Sequence, residues 1–92
     1  METLAELDLS RCHGIETYAP LERLRSLRRL GLAGLPNLRN LRPLRGLSDL
    51  RIVNLAHCPN LVDISVLAEL TELEELCLRG CGSLSKPRAL AN

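Results

Sequence analysis

The sequence predicts an α/β repeat protein: four stacked coils, each made of one short strand, a turn and a short helical return. Three observations predict it. The phrase Leu50-Arg51-Ile52-Val53-Asn54-Leu55-Ala56-His57-Cys58 has counterparts every 23 residues, starting at 4, 27, 50 and 73, with no insertion between them. A fixed period of roughly 20–50 residues is the signature of stacked supersecondary units. Leucine supplies 23 of the 92 residues, and Tyr18 is the single aromatic. An ordinary core of this size fills irregular gaps with aromatics, whereas a core of one residue type needs many equivalent slots. Lastly, the apolar spacing changes within each copy, from alternation early on to steps of three near the end.

Each element follows from its positions. Positions one, four and six are apolar in every copy: Leu4, Leu7 and Leu9; Leu27, Leu30 and Leu32; Leu50, Val53 and Leu55; Leu73, Leu76 and Leu78. Alternation across positions four to six puts two side chains on one face of a short strand. Pro36-Asn37 and Pro59-Asn60 then turn the chain, and His13-Gly14 and Gly82-Ser83 do so in the end copies. Thr17, Asn40 and Asp63 share position fourteen, as turn or capping residues ahead of the return. Pro20 and Pro43 share position seventeen, in the first turn of the return, where a missing N–H loses little. Tyr18, Leu21 and Leu24 are three apart, as are Leu41, Leu44 and Leu47, and Ile64, Leu67 and Leu70. That spacing suits a 3₁₀ or helical turn. In the last copy Pro87 interrupts the pattern before Leu90. No copy buries its own leucines, but a stack of copies does.

Position nine holds Cys12, Cys58 and Cys81, with Leu35 in the second copy. A side chain there is expected to point inward at the bend, where backbone groups need partners. A thiol serves them weakly and Leu35 not at all, so the second copy is expected to be loosest at that corner or to hold a water. The shared position explains the spacing of these cysteines better than a disulfide framework does.

The pattern L-x-x-L-x-L-x-x-C-x-x-L, running from residue 4 to about 90, resembles the leucine-rich repeat family. Cys58-Pro59-Asn60-Leu61-Val62-Asp63-Ile64-Ser65-Val66-Leu67-Ala68-Glu69-Leu70 is similar to the D-I-x-x-L-x-x-L phrase of internalin-like repeats. Cysteine at position nine with this period resembles the leucine-rich repeat proteins of trypanosomatid parasites. The resemblance implies a single domain over 1–92, a right-handed leucine-rich-repeat solenoid of four coils (4–26, 27–49, 50–72 and 73–92). It also implies short parallel strands on a concave face, 3₁₀ or short helical returns on a convex face, and binding of other proteins by the concave face.

Carried over position by position, that face presents Glu6, Asp8 and Ser10; Arg29, Gly31 and Ala33; Ile52, Asn54 and Ala56; and Glu75, Cys77 and Arg79. The residues expected to meet a partner are Glu6, Asp8, Arg29, Gly31, Ile52, Asn54, Glu75, Cys77 and Arg79. The middle of this strip is small, its edges are charged, and Ile52 offers an apolar anchor. The plainer reading, the solvated side of a sheet, stays open. Cys77 is expected to be partly exposed and unreactive, because Glu75 beside it opposes a thiolate.

Other chemistries find little support. Zinc needs about four converging ligands, and Leu35 interrupts the cysteine column, so no metal or other cofactor is expected. His57 and Cys58 are adjacent but point to opposite sides, and Gly80-Cys81-Gly82 is a turn rather than a phosphate loop, so no enzyme is expected. Eight arginines stand between Arg23 and Arg51 against Asp49 alone, while Asn60 to Leu78 holds five acids and no Lys or Arg. Arg39, Arg42 and Arg45 fall on the outer return side, and Arg28, Arg29 and Arg51 near the starts of the strands. With a net charge of +1 and no aromatics for base stacking, nucleic-acid binding is disfavoured. No apolar run reaches the length of a membrane span, and no signal peptide precedes Leu4, which favours an intracellular protein.

The expected function is a protein–protein interaction module. Two alternatives remain: the substrate-selecting segment of a larger enzyme such as a ubiquitin ligase, or a structural or idealised repeat fragment without a partner. No recognisable cap precedes Leu4, and only Lys86-Pro87-Arg88 resembles one at the other end. Weak self-association through exposed end leucines is therefore expected.

Overall fold

The register of the sheet repeats the period of the sequence. The computed structural model describes residues 4–84. Within them β1 (Glu6–Asp8), β2 (Arg29–Gly31), β3 (Ile52–Asn54) and β4 (Glu75–Cys77) form one sheet in that order. All three pairings are parallel, and Leu7, Leu30, Val53 and Leu76 lie in one column. Three 3₁₀ segments run between the strands: η1 (Ala19–Arg23), η2 (Arg42–Leu44) and η3 (Ser65–Glu69). The return side therefore takes the 3₁₀ option of the two that the spacing allowed. Asn40 and Asp63 add a parallel bridge there, with the Val62 N–H donating to the Arg39 carbonyl at 3.0 Å.

Each 3₁₀ segment is started by a side chain two residues ahead. The oxygens of Thr17, Asn40 and Asp63 accept the backbone N–H of Ala19, Arg42 and Ser65 at 3.3, 3.0 and 2.9 Å. These short polar side chains mimic a backbone turn and fix the entry to the return. Pro20 and Pro43 sit at the second residue of η1 and η2, as expected.

The core is a set of leucine columns. Leu27, Leu32, Leu47, Leu50, Leu55 and Leu61 are fully buried, and no charged residue among those described is buried. Burying such a side chain stabilises by roughly 1.5–3 kcal/mol. At position nine, the Cys58 thiol donates to the Leu32 carbonyl at 3.1 Å, and the Cys81 thiol donates to the Leu55 carbonyl at 2.9 Å. Each thiol thus ties its unit to the one before it. One expectation is corrected here. Cys12 is exposed, because among the described residues no earlier unit stands over it. Leu35, which has no polar group to offer at this corner, is fully buried.

Position eight carries a feature absent from the sequence reading. Arg11, Gly34, His57 and Gly80 all have left-handed backbones, with φ of 66, 69, 58 and 75°. Bulky and bare residues alternate, and the alternation has a steric reason. A Cβ at Gly34 would stand 3.3 Å from Arg11 Cγ, and one at Gly80 would overlap the His57 ring. Position eleven was also underread. Asn37 and Asn60 do more than turn the chain: their amides donate to the Ile15 and Pro36 carbonyls of the preceding unit at 2.9 and 2.6 Å, and the Ser83 hydroxyl donates to Pro59 at 2.6 Å.

Leu4 is 45 % exposed where its column mates Leu27 and Leu50 are buried. The expected roles of Lys86, Pro87, Arg88 and Leu90 lie outside the described residues. No helix among the described residues is long and apolar enough to cross a membrane.

A candidate partner surface on the sheet

The four strands and the turn after β4 place nine residues from three columns on one face. The first residue of each strand gives Glu6, Arg29, Ile52 and Glu75, and the third gives Asp8, Gly31, Asn54 and Cys77. Arg79 follows β4 two residues on. Glu6, Asp8, Arg29, Asn54, Glu75 and Arg79 are exposed, and Gly31, Ile52 and Cys77 are partly so. Ala56, placed on this face by its position, is instead buried at 8 % exposure, where its N–H donates to Asn54 Oδ1 at 3.0 Å.

Six of the nine residues surround one hollow. Glu6, Asp8, Arg29, Gly31, Ile52 and Asn54 line an open depression of about 440 Å³ over β1, β2 and β3. Glu75, Cys77 and Arg79 stand outside it, along the β4 edge. Gly31 makes the floor. Any Cβ there would meet Asp8 Oδ1 at 2.5 Å, so the glycine is what lets the Asp8 side chain lean across β2. Asp8 is anchored in that position. Its Oδ1 accepts the Ser10 N–H at 3.0 Å. The Ser10 hydroxyl, then this N–H, hold its carboxyl below the ordinary value. The Ser10 hydroxyl also accepts the Ala33 N–H at 3.1 Å, which carries the network from β1 to the end of β2.

Charge in the hollow is partly self-cancelling. Arg29 Nε stands 3.9 Å from Glu6 Oε2, and both side chains are well exposed. An exposed pair of this kind contributes little to stability, about 0–1 kcal/mol at most, but it removes one charge of each sign from the site. Among the described residues Asp8 is then the unmatched charge of the hollow, at the end of the edge strand β1.

A second hollow opens at the strand starts and was missed as part of the surface. It measures about 360 Å³ and is lined by Ala5, Glu6, Arg28, Arg29, Arg51, Ile52 and Glu74. Arg28 and Arg51 were placed near the strand starts from the sequence but not joined to the site. The signal was available: both sit at position two, one residue before a residue of the candidate face.

Among the described residues no three His, Cys, Asp or Glu side chains converge as a metal site. Burial raises the pKa of the Cys58 thiol, and that of the Tyr18 hydroxyl, which lies buried with no hydrogen-bond partner among the described residues. Comparison with known proteins finds no family model that matches the chain, and no curated protein or solved structure similar to it.

Proposed function

We propose that the chain is a right-handed leucine-rich-repeat solenoid acting as a protein-interaction module, with the solvent face of its sheet as the concave binding surface. The sheet of four parallel strands in sequence order, joined by 3₁₀ returns at a constant 23-residue offset, supports the solenoid. The preference of parallel crossovers for the right hand supports its handedness. One observation carries the binding function: the hollow over β1, β2 and β3 has a bare glycine floor, a partly exposed Ile52 and, among the described residues, an unmatched Asp8. A side chain of a partner finds room, an apolar contact and a charge in one place, which are the ingredients of an interface anchor.

The test uses the chain as bait and ranks captured proteins by their dependence on the face. Ile52→Glu and Asn54→Arg are expected to abolish capture of a genuine partner while leaving the thermal melt nearly unchanged. Arg42→Glu, on the return side, is expected to change neither. A partner lost with Arg42→Glu but kept with Ile52→Glu would move the site to the other face and refute the reading.

A further inference from the structure

We propose that this face selects an extended partner segment bearing one acidic and one basic side chain, the acid at the strand starts and the base at the strand ends. The inference rests on the sheet-face reading above and adds the charge order of the partner.

The two hollows adjoin, with Glu6, Arg29 and Ile52 lining both, and the proposed groove runs through the pair. With Glu6 and Arg29 set against each other at 3.9 Å, the charge left over differs between the two ends. The strand-start end keeps Arg28 and Arg51 against Glu74, and the other end, at the ends of the strands, keeps Asp8. Arg28 and Arg51 hold the same position in neighbouring units, so their backbones are one strand spacing apart, about 4.8 Å. Side chains rooted that close can both reach one anion, which offsets the repulsion between their like charges. Asp49 and Glu72 line an adjacent hollow with the same arginines, yet no carboxylate among the described residues comes within 4.0 Å of either. Asp8 is held ionised by Ser10, so the other end stays anionic under ordinary conditions.

Geometry sets the spacing in the partner. The two ends are three strand residues apart, about 10 Å at roughly 3.3 Å per residue. In an extended segment, side chains on one face recur every second residue, about 6.6 Å apart. An acid and a base four residues apart therefore bracket the groove once side-chain reach is included. The residue midway between them falls over Ile52 and is best apolar and small. A segment of one charge sign satisfies only one end and leaves the other opposed.

The experiment is a titration of isotope-labelled protein with four end-blocked peptides, followed by amide NMR shifts. Two are mixed, Gly-Ser-Asp-Ser-Val-Ser-Lys-Ser-Gly and its order-reversed form; in the others both charged positions are Lys or both are Asp. One mixed peptide is expected to shift amides at both Arg51 and Asp8, and to bind about three- to tenfold more tightly than either single-sign peptide. The double variant Asp8→Lys, Arg51→Glu is expected to transfer that preference to the other mixed peptide. If the double variant fails to fold, Asp8→Asn and Arg51→Gln singly are each expected to erase most of the advantage. Equal binding of all four peptides on the sheet face would overturn the charge order and leave the sheet-face reading standing. Shifts that avoid the face with every peptide would overturn both.

Discussion

Among the described residues, the second and third units are covered on both sides, and the first is covered on one. Leu27, Leu32, Leu50 and Leu55 are fully buried, whereas Leu4 is 45 % exposed and Leu7 and Leu9 are only partly covered. The residue type and repeat position are the same, so the difference comes from the neighbour alone. Burial of these leucines therefore depends on the strand and return segments packed on either side of them.

The comparison is broken most directly by truncation. Leu55→Ala is expected to destabilise by about 2–5 kcal/mol, because the cavity is enclosed on all sides. Leu4→Ala is expected to lose under about 1 kcal/mol, since much of that side chain already meets water. Denaturant melts of the two variants check this. Equal losses would show that the units are stabilised independently of their neighbours.

The cysteines sharpen the same contrast. Cys58 is fully buried and bonded to the preceding unit at 3.1 Å, and burial pushes its thiol pKa up, while Cys12 is exposed. Cys58→Ala is expected to cost about 1–3 kcal/mol through a lost donor and a small cavity. Cys12→Ala should stay within about 0.5 kcal/mol of wild type. A thiol reagent under native conditions is expected to modify Cys12 promptly and Cys58 only as the protein opens. Comparable rates at the two thiols would contradict the interior placement of Cys58.

What the sequence revealed and what it hid divide along the same line. The strand register was legible because apolar columns repeat at one offset, and so was the entry to each return, because Thr17, Asn40 and Asp63 are all short polar side chains. Exposure of Cys12 was hidden, since a column argument treats every unit as having a neighbour. The left-handed position eight was hidden by Arg11 and His57, although Gly34 and Gly80 in the same column were a usable signal. The bonds made by Asn37, Asn60 and Ser83 were hidden because a turn residue and a tie between units have the same composition. On the candidate face, individual side chains were legible from alternation. The hollow was not, because it depends on Asp8 leaning over Gly31, a contact between units that no single unit displays.

Two glycines of the last unit isolate the position-eight effect. Gly80 has φ 75° and lies under the His57 ring, whereas a Cβ at Gly82 would meet nothing within 4 Å. Gly80→Ala is expected to cost roughly 1–2 kcal/mol from the left-handed backbone, with a further penalty for moving the ring. Gly82→Ala is expected to be within about 0.5 kcal/mol of neutral. Combining Gly80→Ala with His57→Ala should recover the steric part and leave the backbone part, which a double-mutant cycle on melting data separates. A purely additive double variant would mean that the ring does not restrain Gly80.

The smallest expected effect compares the second and third units at position fourteen. Asn40 and Asp63 do the same work, each accepting a backbone N–H two residues on, at 3.0 and 2.9 Å. Only Asp63 titrates. Its carboxyl is held below the ordinary 3.8, chiefly by the Ser65 N–H and then by the Ser65 hydroxyl. A folded pKa below the unfolded one means that the unfolded chain binds its proton first as the pH falls. The stability Asp63 adds is therefore fully present above 3.8 and is lost as the pH drops through the lower, folded value. Asp63→Asn keeps an acceptor oxygen in place and removes the titration, so its melting temperature should fall less than that of wild type between pH 5 and pH 2, roughly the window in which such a carboxylate titrates. Asn40→Asp should do the reverse and steepen the acid limb, because it installs a second titrating acceptor at the same turn. Asp8 is also held low, by Ser10, so part of the acid loss should survive in Asp63→Asn and shrink further when Asp8→Asn is added. Parallel acid limbs for wild type, Asp63→Asn and Asn40→Asp would show that the turn is held by the backbone alone and that the side-chain acceptor at position fourteen is incidental.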